Sequence, residues 1–332
     1  MSLERVRAWR DRLRADRDAA PDVGLSTEGR GLVIDDALDA LTDDALVEAL
    51  SPGGAPFDRA VVVAARTVVS APIEWLALLL ARGTDVVLKH PAGAAGLAPW
   101  FVSHAEAVGL PLVATEDRGA VNDAPLVVAM GDDDTIASLR ASLDPSVRFL
   151  GFGSRFSVAW WSKGSADADV LARDLAAHDG RGCMSPAMIL TDDPDGLLAL
   201  LPDAMARAQA RWPRGEVSAI EHATTRSRAV VARATGRAIA GEGWAVHLLP
   251  AEHASKVSLP RAAQIIGVAD IDAALALVAK DAHRLSTIGV ASQGAAKWAT
   301  TGAPRVVALG QMQRPVLVRR HDGVPHLTLL VR

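Results

Sequence analysis

From residue 59 onward the chain alternates short β-branched runs with apolar stretches of helical length. Residues 59–69 (RAVVVAARTVV) predict a strand, 72–81 (PIEWLALLLA) a helix and 83–89 (GTDVVLK) a second strand, together one βαβ unit. The alternation continues with a helix over 99–108, a strand over 125–130 (PLVVAM), a helix over 134–143 and a strand over 147–151. Strands that alternate with crossover helices predict a parallel sheet covered on both faces. A helix over 165–178 leads into a loop, and a second series follows: strand 187–191, helices 202–211 and 216–234, strand 244–249, a stretch at 260–268, helix 271–283 and strand 287–291. The tail, 314–332 (RPVLVRRHDGVPHLTLLVR), predicts two strands about His321-Asp322-Gly323.

The pattern places the chain in the α/β class. It divides into a first lobe over 1–175, whose residues 1–57 form a helical segment of no assigned role, a second lobe over 176–310 that begins with the loop, and the hairpin at 311–332. At 332 residues the chain is long enough for two ordinary domains with substantial cores.

Charge and composition then remove several function classes. The net charge is only −4 and the arginines are scattered among acidic residues, which gives no nucleic-acid footprint. The N-terminus, MSLERVRAWRDRLRADRD, holds no apolar stretch of signal-peptide length, so a cytoplasmic location is expected. The most apolar window, 60–81, is broken by Arg66, Pro72 and Glu74, so no membrane span is expected. One cysteine makes neither an internal disulfide nor a four-cysteine zinc site. His222, His247 and His253 lack ligand spacing with a carboxylate or cysteine, and no metal is expected. The run Asp132-Asp133-Asp134 reads as a helix cap and solvated turn, and Trp160-Trp161 as packing beneath a turn.

The single cysteine, Cys183 in DGRGCMSPAMIL (179–190), admits two readings. Gly182 permits close backbone approach to a ligand, Pro186 limits local freedom, and Arg181 favours a thiolate in a loop between a helix and a strand. Against this, a free cysteine is among the most buried residue types and fills small apolar gaps. The Gly151-Phe152-Gly153 turn is weak by itself, because Phe156 stands where a dinucleotide fingerprint has its third glycine.

Several segments, in one consistent order over about residues 58–332, resemble the aldehyde dehydrogenase superfamily, and within it the acyl-CoA reductases related to the fatty-acid reductase of bacterial luminescence. Residues 180–186 (GRGCMSP) are similar to that family's nucleophile loop, 83–93 (GTDVVLKHPAG) to its adenosine-ribose strand and 147–161 to its turn beside the pyrophosphate and nicotinamide. Residues 269–292 resemble a helix and strand of the catalytic lobe, and 302–315 with 321–323 the terminal signature. The resemblance implies an aldehyde-dehydrogenase-like fold and an acyl thioester, on coenzyme A or an acyl-carrier protein, transferred to Cys183. Hydride from a nicotinamide then releases an aldehyde. Lys89, His90, Gly151, Gly153 and Ser154 are the implied cofactor contacts, Lys89 to ribose hydroxyls or, with His90, to a 2′-phosphate. NADPH is expected, with NADH as the alternative. A plain solvated lysine is the bland reading of Lys89. The resemblance also implies a homodimer or larger assembly paired through the terminal hairpin.

Three absences refine this expectation. Residues 154–182 contain no glutamate to activate water, which favours reduction of a thioester over oxidation of an aldehyde to an acid. The asparagine that the superfamily supplies to the oxyanion is missing from 64–70, where Arg66, Thr67 or Ser70 could serve beside the Cys183 backbone N–H. No glutamate occurs at 255–258 to hold the nicotinamide ribose, and Glu252 is out of register. The alternative expectation is a catalytically degenerate scaffold that binds nucleotide or a partner.

Overall fold

The computed structural model describes residues 2–51, 53–65, 68–90, 96–165, 167–291, 294–326 and 330–331. The chain forms two compact units, one of residues 1–23, 33–154 and 314–332, the other of residues 24–32 and 155–313.

In chain order the first unit draws on α1 (Ser2–Ala15), the part of α2 (Thr27–Asp39) from Val33 onward, α3 (Asp43–Glu48), β1 (Arg59–Val63), α4 (Ala71–Ala81), β2 (Asp85–Lys89), α5 (Leu97–Glu106), β3 (Leu112–Thr115), β4 (Leu126–Met130), α6 (Asp133–Ser142) and β5 (Arg148–Phe152). Its five strands are parallel, in the order β3-β2-β1-β4-β5. Every pair keeps an unbroken register. The order reverses between β1 and β4, and the carboxyl ends of strands at such a switch point are where open α/β sheets take ligands. Lys89 ends β2, Gly151 lies in the last two residues of β5, and Gly153 and Ser154 follow its end, on that edge.

Helix α4 is buried along nearly its whole length. A helix apolar all round needs a second cover, and α1 supplies it: Val6, Trp9 and Leu13 are buried against α4 and α5, and Trp9 Nε1 donates to Phe101 O at 3.2 Å. The N-terminal helical segment thus gains a packing role that its charged sequence did not reveal.

The tail hairpin forms as expected, with β13 (Arg320–His321) paired antiparallel to β14 (Val324–Pro325). Asp322 and Gly323 both have positive φ, 49° and 88°, the geometry a two-residue turn needs to match strand twist. It is tied to the first turn of α4. Arg319 forks onto the Glu74 carboxylate, and His321 Nδ1 lies 2.9 Å from Glu74 Oε1.

The second unit contains β6 (Phe156–Trp161), α7 (Ala168–Ala176), β7 (Pro186–Thr191), α8 (Pro194–Arg211), α9 (Ala219–Thr235), β8 (Arg237–Gly241), β9 (Trp244–Leu249), β10 (Ala262–Gly267), α10 (Ile271–Ala279), β11 (Leu285–Val290), α11 (Ala295–Ala299) and β12 (Arg305–Ala308). The sheet order is β12-β11-β6-β7-β10-β9-β8, parallel except for the edge hairpin β8–β9. Successive residues of β6 enter opposite cores, Trp161 one and Trp160 the other.

The predicted helices and strands occur, with instructive differences. The helix expected at 202–211 begins a full two turns earlier: Asp193 caps it by accepting from Gly196 N at 3.1 Å, and Pro194 occupies the first turn. Pro202 lies inside α8, held there by buried Leu197, Leu198 and Leu201. Strands β3, β6, β8 and β12 were not expected, β6 because a strand buried on both faces shows no alternation. Asp132 caps α6 as predicted, accepting from Thr135 N at 2.7 Å. Among the described residues no helix is long and apolar enough to cross a membrane.

Candidate active site

Just beyond α7 and its cap Ala177, three successive left-handed residues, His178, Asp179 and Gly180, with φ of 53°, 53° and 75°, turn the chain into the cysteine loop. Non-glycine residues in that region cost of the order of 1–3 kcal/mol each, so the surroundings must hold them. They do. The Asp179 carboxylate accepts from Arg261 Nε at 2.8 Å and Gly215 N at 2.9 Å, and Arg261 N donates back to Asp179 O at 3.1 Å. Both Asp179 and Arg261 are buried. Burial pushes His178 down to about 4, so its ring is neutral at physiological pH.

One sequence expectation about this loop changes, and a second glycine gains a reason. Gly180 has positive φ and main-chain oxygens 3.4 Å from a Cβ, whereas a Cβ on Gly182 would make only ordinary contacts with the protein. Arg181 does not serve the thiol as a bare cation. Its guanidinium bonds Glu221 at 2.9 Å and Asp179 at 3.3 Å, so two carboxylates take up its charge. Burial alone would raise the Glu221 carboxyl, but Arg181 and the Ser218 capping bonds hold it at about 2.

Cys183 itself is half-buried. Ser185 N donates to Gly182 O at 2.9 Å, so Cys183 and Met184 are the central residues of a tight turn. Side chains from distant segments grip that turn. Ser157 Oγ, from β6, donates to Cys183 O at 2.7 Å. Gln313 Nε2 donates to Ser185 Oγ at 2.8 Å. Arg305 Nη1 reaches Met184 Sδ and Thr287 Oγ1, each at 3.2 Å, and Met312 O at 2.8 Å. The 310–313 segment that carries Gln313 is fixed by Asp174, whose carboxylate accepts from Gly310 N at 2.6 Å and Met312 N at 3.1 Å. Burial raises Asp174 to about 7 despite those two N–H donors.

Sequence reading missed Ser157, Asp174, Gln264, Thr287, Arg305 and Gln313. For two of them a signal existed: Ser157 and Gln264 are single polar residues inside otherwise apolar strands (FSVAWW, AAQIIG), where a buried polar group must find a partner.

In the first unit, Lys89 is half-buried at the end of β2, and its ammonium bonds no described residue. His90 is buried, with Nε2 3.7 Å from the Glu116 carboxylate. A Cβ on Gly151 would strike Ile136 and Phe149 at 2.6 Å, which makes this glycine a packing necessity. At Gly153 a Cβ would lie 2.3 Å from Asp133 Oδ1, the atom that accepts from Ser154 N at 2.7 Å. Ser154, an implied cofactor contact, therefore already gives its N–H to a carboxylate. Ser70 is the N-cap residue of α4; Arg66 and Thr67, the other oxyanion candidates, lie outside the described residues. Glu74, His321 and His326 bring three ligand atoms within 4.8 Å of one another, but the Arg319 fork already neutralises Glu74.

A sequence model of the family described as acyl-CoA reductase (LuxC) matches residues 116–332, more than half of the chain. No curated protein matches closely enough to count as a relative. Among solved structures, the chain is similar to an NAD-dependent benzaldehyde dehydrogenase from Corynebacterium glutamicum (16% identity, 94% of this chain and 83% of that one, TM-score 0.70). It is also similar to a 1-pyrroline-5-carboxylate dehydrogenase from Thermus with bound NAD (15%, 99% and 79%, TM-score 0.72). A third is a succinic semialdehyde dehydrogenase from Streptococcus pyogenes in complex with NADP+ (15%, 93% and 81%, TM-score 0.70). At such identities the likeness is one of fold, and the fold is that of aldehyde dehydrogenases.

Proposed function

The chain belongs to the acyl-CoA reductase (LuxC) family, and from that premise we propose that it reduces an acyl thioester to an aldehyde through an S-acyl intermediate on Cys183. The observation that carries this reading is the cysteine turn, gripped by the side chains of Ser157, Arg305 and Gln313. Inert packing requires no such array of buried polar groups, each costly unless bonded.

In the first half-reaction the Cys183 thiolate attacks the thioester carbonyl. A carbon–sulfur bond to the enzyme forms, the bond to the coenzyme A or carrier-protein sulfur breaks, and the departing thiolate takes up the proton that the cysteine lost. When bound, a nicotinamide supplies the hydride for the second half, and one proton restores the thiol as the aldehyde leaves. The absence of glutamate from 154–182 supports this reductive outcome over hydrolysis.

The first unit is the proposed nucleotide-binding lobe, the second the catalytic one, and the tail hairpin the segment that pairs subunits in a homodimer or larger assembly. Lys89 fits a nicotinamide dinucleotide, since an ammonium that bonds no described residue, at the end of β2, suits ribose hydroxyls or a 2′-phosphate. NADPH is the proposed donor. Glu116 beside His90 opposes a 2′-phosphate, which keeps NADH as the alternative. Ser154 fits less well, because a pyrophosphate must displace Asp133, and this observation favours the second reading, a scaffold that kept the fold without turnover.

Incubation with a panel of acyl-CoAs in the absence of nucleotide, followed by intact mass and peptide mapping, tests the reading. An adduct on Cys183 that disappears in Cys183→Ala is expected, with thioester-dependent consumption of NADPH. Turnover that persists in Cys183→Ala sinks the mechanism, and tight nucleotide binding with no adduct from any thioester favours the scaffold. A monomeric mass by light scattering at micromolar concentration would overturn the assembly.

A further inference from the structure

The sheet of the second unit is irregular at one level only, and Ser157 stands there. On one side of β6, Ser157 pairs with Pro186 and Val158 with Met188, so Ala187 is an extra residue on β7. On the other side, Phe156 pairs with Leu285 and Val158 with Ile288, so Ser286 and Thr287 together oppose Ser157. Both neighbouring strands bulge beside the same fully buried serine.

Side chains replace the broken ladder. Thr287 N donates to Ser157 Oγ at 3.0 Å, and Ser157 Oγ donates to Cys183 O at 2.7 Å. Gln264 Nε2 donates to the carbonyl of the bulged Ala187 and to Ser255 O, both at 2.6 Å, and Gln264 Oε1 accepts from Ser255 N at 3.0 Å. The hydroxyl is thus fixed in both roles. It accepts from β11 and has its one proton left for the cysteine carbonyl.

A trans peptide is planar, with its N–H pointing opposite to its C=O. By holding Cys183 O, Ser157 therefore fixes the direction of the Met184 N–H, away from the serine and the sheet. The closing bond of the turn uses Ser185 N, and the Met184 N–H donates to no described residue. Acyl transfer to a thiolate needs such a donor where negative charge grows on the carbonyl oxygen, and residues 64–70 offer no asparagine for it.

We propose that the Met184 N–H is a backbone oxyanion donor for acyl transfer at Cys183, and that Ser157 is the positioning residue that aims it. This rests on the reading of Cys183 as the acyl carrier. It adds a donor and its support to that reading, and it accounts for the bulges on both sides of one serine.

The test separates reactions that do and do not build an oxyanion. Alkylation of Cys183 by iodoacetamide passes through no tetrahedral oxyanion, whereas acylation by an acyl-CoA does. In Ser157→Ala, acylation measured by intact mass should slow by about tenfold to a hundredfold, since removing such a donor outright costs about a hundredfold to a thousandfold. The alkylation rate and its pH midpoint should stay within about twofold of wild type, and Ser157→Thr, which keeps the hydroxyl, should recover most of the acylation rate. Equal loss of acylation and alkylation in Ser157→Ala, or no loss of either, overturns the proposal. Wild-type protein that alkylates yet forms no adduct with any acyl-CoA fails at the earlier step, and both readings fall together.

Discussion

Each unit buries a carboxylate against its tail-side or loop-side segment, and the two titrate in opposite directions. Glu74 in α4 meets desolvation that would raise it, but the Arg319 guanidinium and His321 outweigh burial and hold its carboxyl well below the ordinary value. Asp174 in α7 meets the same desolvation with backbone N–H groups bonded to it and Arg173 acting only through its field, and it rises to about 7. A guanidinium bonded directly to the carboxylate offsets the loss of water, whereas peptide dipoles and a cation that does not bond it do so only in part. The first unit anchors its tail with an ion pair. The second holds the cysteine turn with the Ser157 hydroxyl, the Gln313 amide and the Arg305 guanidinium, none of them paired to a carboxylate in that contact.

The sheets differ in the same sense. All four strand pairs of the first keep their register, while the second breaks register on both sides of Ser157. A regular sheet suffices for a platform. A sheet that must direct one loop carbonyl gives up ladder bonds at that level and replaces them with side chains.

The largest effect that can break this contrast is expected from Arg319→Leu. It leaves Glu74 buried without its guanidinium, costs about 3–5 kcal/mol, and should raise the Glu74 carboxyl toward the behaviour of Asp174. Urea unfolding at several pH values checks both parts. In wild type the Glu74 contribution is present above the ordinary carboxylate range and is lost as pH falls through its lowered value, so the gap between wild type and variant should shrink in acid. Equal stability of the two at neutral pH would remove the ion pair from the account.

Next in size is Gln264→Leu, which strips the partners from Ala187 O and from both main-chain groups of Ser255. A loss of about 1–3 kcal/mol in denaturant midpoint is expected, with faster amide exchange at the start of β7. Unchanged exchange there would show that the bulge holds itself. The smallest effect at neutral pH, about 1 kcal/mol, belongs to Asp174→Asn. A carboxyl raised by folding contributes stability below its unfolded value, and that contribution is lost as pH rises through about 7. Asn should therefore flatten the fall in stability between about pH 4 and pH 7, and an identical pH profile for the two proteins would contradict the raised value.

The sequence by itself determined the alternation of strands and helices and the tail hairpin. These rest on local rules: β-branched runs favour extended backbone, apolar stretches of sufficient length favour buried helix, and Asp322-Gly323 adopts positive φ at low cost. Only the tertiary structure decided that α8 runs through Pro202, that α1 covers α4, that carboxylates neutralise Arg181, and that Asp133 meets the Ser154 N–H. It alone paired Ser157 with Thr287, 130 positions away, and with Cys183, 26 away. The reason is physical. Propensity and periodicity act within one or two turns of chain, but the partner of a buried polar group is chosen by whatever the folded strands bring within about 3 Å, and one sequence carries no local trace of that choice.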